Sequence, residues 1–268
     1  MGDTNIYFKN RQARKEQAEK HTLEMIKNYS GLIMACAIES QVYSMSFNPI
    51  ILYKGPDGNN TEFILADKDS VTAIIERPLN ERVAVLNFAS YKNPGGKFIE
   101  GSSAQEESLC HASFLYNVLA SCSVYYEWNN EHKNRGLYEN RAIYSPDVLF
   151  QKGKDKRDCD VITCAAPNIT PSRKYNWGVT DEENTKVLKS RIKFVLDIAA
   201  DQKRETLILG AFGCGVFGQD AEEVANIFMD YLTTTHKMFK KVIFAVPTGF
   251  HTENYDKFEK VFEERGLL

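Results

Sequence analysis

Residues 83–90 read VAVLNFAS, a run too apolar for either face of a strand to be left in water. Such a run predicts a strand buried in a sheet rather than one with a wet side. Further strand candidates fall at 49–53, 62–66, 142–150, 160–165, 207–212 and 242–246. Apolar residues at helical spacing predict helices at 10–28, 71–77, 104–125, 181–201, 221–238 and 255–265. This alternation implies an α/β fold, a mixed sheet covered by helices on both faces. The charged helix at 10–28, with LEMI as its clearest apolar patch, comes before the first convincing strand and reads as an accessory segment. Residues 152–160, KGKDKRDCD, carry alternating opposite charges and read as a solvated loop.

With 268 residues and 43% hydrophobic content, the chain can bury a large core as one sizeable domain with an extension. A formal charge of −3 argues against nonspecific DNA or RNA binding through a broad basic surface. It leaves open an anionic ligand held by backbone amides. Cys36, Cys110, Cys122, Cys159, Cys164 and Cys214 form no CxxC pair and no zinc spacing, so no metal site is expected. Several lie in apolar runs where a reduced thiol is usual, and a reducing cytoplasm is the expected compartment. The sequence shows no apolar signal-peptide core and no span long enough for a bilayer, so no membrane partner is expected.

Beyond the strand at 83–90 the chain enters NPGGKFIEGSSAQEE, residues 93–107. Gly95 and Gly96 tolerate positive φ and let backbone N–H groups approach an anion such as a diphosphate, at a strand end where ligands collect. The same Asn93-Pro94-Gly95-Gly96 residues specify a turn whether or not anything binds. Ser103-Ala104-Gln105-Glu106 is a capping-box sequence, with Leu109, Ala112, Tyr116 and Leu119 following at helical spacing, so a helix is expected to begin near Ser103. Glu106 is then the capping glutamate. Glu107 points about 100° away, and its ordinary alternative is an exposed first-turn acid favoured by the helix dipole.

A second glycine loop lies in LGAFGCGVFGQD, residues 209–220. Gly213-Cys214-Gly215-Val216-Phe217-Gly218 matches GxGxxG between a strand and a helix, the fingerprint of a Rossmann dinucleotide site. The strand expected at 242–246 ends in Pro247-Thr248 and offers no acid for a ribose, which argues against that cofactor. Glycine-rich backbone at a helix start still suits pyrophosphate. Phe217 either closes over a ligand or packs. Cys214 has no His or Asp motif beside it and reads as a small loop residue rather than a nucleophile.

The two loops together carry a resemblance. Gly95, Gly96 and Lys97, followed by Gln105-Glu106-Glu107, resemble the signature of the bacterial-type poly(ADP-ribose) glycohydrolases of the macrodomain superfamily: three glycines, a spacer, then Gln-Glu-Glu. The 209–220 segment resembles that family's second phosphate loop. Lys97 departs from the pattern by replacing the third glycine, and His111 stands where a basic residue, commonly arginine, is expected. The resemblance implies a macrodomain-like three-layer α/β/α sandwich over 46–268, with 1–45 as an N-terminal helical extension. It implies hydrolysis of the ribose–ribose bonds of poly(ADP-ribose), from the chain end, with ADP-ribose as product and no cofactor. A monomer is expected, the sequence itself leaving oligomeric state open. Substrate contacts are implied at Asn87, Asn93, Gly95, Gly96, Lys97, Gln105, Gly213, Cys214, Gly215, Val216, Phe217 and Gly218.

Ordinary glycosidases set two carboxylates about 5–9 Å apart on opposite faces of the sugar, which adjacent residues cannot easily do. Glu107 is therefore expected to act alone as general acid and then base, with Glu106 fixing ribose hydroxyls. This role asks that Glu107 stay partly protonated near neutral pH. Lys97 either adds a charge contact, points outward while its amide serves, or obstructs the loop if the position demands positive φ. Two alternatives remain: a mono-ADP-ribosyl hydrolase acting on modified protein or nucleic acid, and a non-catalytic ADP-ribose reader.

Overall fold

The computed structural model describes residues 2–49, 61–79, 81–249 and 252–268. Its helices are α1 (Gly2–Glu39), α2 (Ser70–Glu76), α3 (Gln105–His111), α4 (Leu115–Ala120), α5 (Ser123–Glu131), α6 (Ile169–Tyr175), α7 (Asp181–Asp201), α8 (Ala221–Thr234) and α9 (Glu253–Glu264). Its strands are β1 (Gln41–Tyr43), β2 (Glu62–Ala66), β3 (Val83–Phe88), β4 (Ala142–Lys152), β5 (Asp155–Cys164), β6 (Thr206–Leu209) and β7 (Lys241–Ala245). They form one mixed sheet in the order β1-β4-β5-β3-β6-β7-β2. β1, β4 and β5 pair antiparallel, and every pair from β5 through β3, β6 and β7 to β2 is parallel.

β3 is the inner strand that its apolar run predicts. Its side chains alternate between two cores: Ala84 and Leu86 pack with α7, α8 and α9, while Val83 and Val85 pack with α1 through α5. Burial on both faces produces the three-layer α/β/α arrangement. α7 starts at the Thr180 cap, whose hydroxyl accepts the Glu183 N–H at 3.1 Å, with three acids in the first turn.

Several expectations change. The strand expected at 49–53 lies outside the described residues beyond Pro49, whereas β1 and α6 carried too weak a pattern to be expected. The charged 152–160 stretch is largely the start of β5, hairpin-paired with β4 around Gly153-Lys154. Charge alternation with period two fits an exposed strand as well as a loop. The single helix expected at 104–125 is three short ones. Ser113 Oγ accepts the Leu115 N–H at 3.1 Å and donates to the Leu109 carbonyl at 2.7 Å, while Gln151 N–H reaches the Ala112 carbonyl at 2.7 Å. The side chain and β4 thus compete with helix continuation and win.

α1 extends well past residue 28, bending at Tyr29 (φ −137°), and packs on α4 and on the 3-10 turn Phe98–Glu100. Arg14 Nε donates to the Gly101 carbonyl at 2.7 Å and Arg11 Nε to the Glu100 carbonyl at 2.9 Å. The helix therefore braces the loop that leads into α3. No helix among the described residues is long and apolar enough to cross a membrane.

Candidate active site

A cleft of about 1140 Å³ opens beyond the carboxyl ends of β3, β5 and β6, where Ser90, Ala166 and Ala211 line it. That is where parallel strands leave the sheet and their connections diverge. The cleft brings together Asn93, Gly96, Lys97, Gln105, Glu106, Glu107, Gly213, Gly215, Val216 and Phe217 from the two distant loops.

Asn87, Gly95, Cys214 and Gly218 do not line it. Asn87 is fully buried and donates from Nδ2 to Glu106 Oε1 at 3.3 Å and to Thr163 Oγ1 at 3.2 Å. It holds a carboxylate rather than facing the cleft. Gly95 turns the chain at φ +63°, and a Cβ there would press on Tyr116 at 2.8 Å and Cys110 at 3.1 Å behind the loop. Gly218 packs against Thr170. The Cys214 thiol is raised far above the ordinary range by burial, which opposes a thiolate nucleophile.

The helix start falls one residue later than the capping-box sequence predicts, and this reassigns the glutamates. Ala104 is the N-cap, and its N–H donates to Glu107 Oε2 at 2.9 Å. Glu107 Oε1 accepts the Lys97 N–H at 2.9 Å. Glu107, not Glu106, therefore closes the cap, and it also joins the glycine turn to the helix. Glu106 reaches the other way, its Oε2 accepting the Ser90 N–H at 2.6 Å beside the Asn87 contact. Gln105 is spent on the scaffold: its Oε1 takes the Phe88 N–H at 2.9 Å and its Nε2 donates to the Leu86 carbonyl at 2.9 Å.

Glu106 and Glu107 are only 3% and 6% exposed, yet both face the cleft. They converge over Gly96, where a Cβ would meet Glu107 Oε1 at 2.7 Å and Glu106 Oε2 at 2.9 Å. Burial is the main force raising the Glu106 carboxyl, pushed up to about 8; the Ser90 and Asn87 hydrogen bonds oppose it and the Glu107 charge adds to it. Of the two carboxyls, Glu106 is the one that burial drives toward its protonated form.

Lys97 takes φ −115°, so the position does not demand a left-handed backbone and lysine introduces no strain there. Its amide serves Glu107 while its exposed side chain runs outward, 4.0 Å from Glu100. His111 faces away from the cleft toward α1, edge-on to Phe98 with ring centroids 4.6 Å apart, and burial first, then His21, lowers its pKa.

The second loop is built differently. Gly213 and Gly218 take positive φ, whereas Gly215 stands in open space. Asp220 caps α8 by accepting the Glu223 N–H at 3.0 Å. A carboxylate already occupies that helix start, so an anion in this loop would rely on loop amides rather than on the α8 terminus. Phe217 lines the cleft and meets Tyr138 edge-on at 6.2 Å.

Sequence reasoning missed an entire wall: Lys133, Arg135, Gly136, Tyr138, Asn168 and Trp177 also line the cleft. No motif marks them. Tyr138 is held by stacking on Tyr91, with centroids 4.0 Å apart and planes 11° from parallel.

A three-layer α/β fold with two glycine loops flanking a buried carboxylate pair defines the class. The chain belongs to the family of microbial-type PARG catalytic domains, whose model matches residues 4–153. It is similar to the poly(ADP-ribose) glycohydrolase of Thermomonospora curvata bound to the inhibitor ADP-HPD, at 28% identity and a TM-score of 0.81, over 94% of this chain and 100% of that one. The Deinococcus radiodurans enzyme in complex with ADP-ribose matches at 28% identity and a TM-score of 0.76, over 87% and 98% of the two chains. A search of curated proteins finds no match. The family is one of glycosidases.

Proposed function

We propose that this chain hydrolyses the ribose–ribose bonds of poly(ADP-ribose) and releases ADP-ribose, with Glu106 and Glu107 as its reacting pair. The observation that carries the reading is their convergence over Gly96, in a cleft that both glycine loops line. The loops hold the diphosphate through backbone N–H groups. Glu107 hands a proton to the departing ribose oxygen as positive charge develops on the sugar, then takes one from the attacking water. Its two backbone hydrogen bonds fix its position relative to the diphosphate turn. Glu106, held by Ser90 and Asn87, anchors ribose hydroxyls. Residues 1–45 belong to this reading as an extension that docks on the 46–268 catalytic body and braces its loop.

One feature favours a second assignment: burial raises the Glu106 carboxyl, which would make Glu106 the acid and Glu107 the anchor. Glu106→Gln and Glu107→Gln separate the two. Release of ADP-ribose from polymer, with calorimetry of ADP-ribose binding in parallel, should show Glu107→Gln losing about 10³-fold in kcat with affinity retained. Glu106→Gln should raise KM and Kd as well. The reverse pattern transfers the acid to Glu106, and full turnover by both variants would discard the pair.

A further inference from the structure

The cleft has a rim that hydrolysis of a single terminal unit does not need. Lys92, Lys97, Lys133 and Arg135 all line the cleft and all are exposed, whereas the glutamates beneath them are buried. Among the described residues, no ion pair engages Lys92 or Lys133. Arg135 is paired with Glu183 and lies on a costly backbone: Asn134, Arg135, Gly136 and Tyr138 have φ of 41°, 51°, 89° and 61°. Each non-glycine residue in that region costs on the order of 1–3 kcal/mol and persists only where surrounding contacts impose it. The contacts are present. Buried Arg191 donates to Asn140 Oδ1 at 2.8 Å and to the Leu137 carbonyl at 3.3 Å, and the Asn168 N–H reaches the Gly136 carbonyl at 2.8 Å.

The strained turn joins its neighbours in one strip. Tyr91, next to Lys92, donates its hydroxyl to the His132 carbonyl at 3.0 Å, next to Lys133. At the other end the Trp177 ring lies beside Gly136, 3.8 Å from where a Cβ would stand, and it is 43% exposed while lining the cleft. Cations tracking a backbone and an exposed aromatic face are how proteins hold a flexible phosphodiester-type chain. The volume of about 1140 Å³ also exceeds the roughly 300–1,000 Å³ typical of a site for one small ligand.

We infer that this strip is an outer subsite for the ADP-ribose unit on the leaving-group side of the scissile bond, with its diphosphate on Lys92, Lys97, Lys133 and Arg135 and its adenine on Trp177. The inference rests on the hydrolase reading above. Lys97 links the two sites: its amide holds Glu107 and its side chain reaches the rim. The bound chain would cross from buried carboxylates to exposed cations within one unit, and the enzyme would favour polymer over a lone unit.

The test compares kcat/KM on polymer of many units with the Kd for free ADP-ribose, across a salt series. Lys92→Gln/Lys133→Gln should lower kcat/KM on polymer about tenfold and make its salt dependence shallower. Trp177→Ala should lower it about fivefold with the salt slope unchanged. In both, the ADP-ribose Kd should move less than about twofold, which also reports an intact cleft. A Kd that rises in step with the polymer loss would assign the strip to the terminal unit and overturn the inference. Unchanged polymer kinetics would overturn it as well. Failure of the hydrolase reading has a separate signature, since wild type would then release nothing from polymer.

Discussion

The two glycine loops occupy equivalent places at the ends of β3 and β6, but the first is packed around both of its glycines and the second is open at its middle. At Gly95 and Gly96 the absent side chains leave room for Tyr116, Cys110 and both glutamates, and at Gly101 for the Arg11 carbonyl of α1. In the second loop Gly215 has nothing within 4 Å and Val216 is 83% exposed. The first loop seats two buried carboxylates over Gly96 and leaves little room for displacement there; the second keeps an open face at Gly215 and Val216. GxGxxG-like spelling in the second loop draws attention to the less constrained of the two.

Substitution at paired glycines would break this contrast most directly. Gly96→Ala would drive a methyl into both carboxylates at a residue with φ +63°, and polymer turnover should fall at least ~100-fold. Gly215→Ala, at an open position, should cost less than about threefold. Equal losses would show that both loops are positioning elements.

The raised Glu106 carboxyl gives a stability test of the first loop. With Glu106 raised from 4.5 to about 8, the folded chain keeps a proton that the unfolded chain releases. Its contribution to stability is therefore fully favourable below about 4.5 and declines as pH rises to about 8. Glu106→Gln removes this slope. Thermal melts should show the variant gaining on wild type between pH 5 and 8, by roughly 2–4 °C per kcal/mol relieved. An unchanged pH profile would mean that Glu106 is ionised in the folded protein.

Arg14→Ala probes the brace behind the loop. Losing the bond to the Gly101 carbonyl should cost about 1 kcal/mol of stability and lower kcat several-fold with KM little changed, and Arg14→Lys should restore part of the loss. A fall in stability alone would make α1 a passive cover. The smallest effect is expected at Lys97→Gly. Its φ is ordinary and its amide survives the change, so ADP-ribose affinity should shift less than about threefold. A sharp rise in affinity would reveal the lysine as an obstruction.

These outcomes bear on what the sequence could tell. β2 and α7 match the expected spans residue for residue, β2 from its short apolar run FILA and α7 from helical apolar periodicity that reports burial directly. The microbial PARG family was readable from Gly95-Gly96 and Gln105-Glu106-Glu107 because both runs fall within one short segment of the chain. The division of labour between the glutamates was not. It depended on whether the helix starts at Ser103 or Ala104, a one-residue shift that turns side chains by about 100°. The wall carrying Lys133, Arg135 and Trp177 was invisible for another reason: backbone conformation and the buried Arg191 create it, and neither leaves a pattern along the chain.

The latch between α1 and the first glycine loop spans nearly the whole first third of the polypeptide, with Arg11 and Glu100 separated by 89 positions. Contacts so distant along the chain form only after the ends of a long loop have been brought together. The sheet closes longer separations still, Glu62 of β2 pairing with Lys241 of β7, so the latch and the sheet belong to one long-range assembly rather than to local folding.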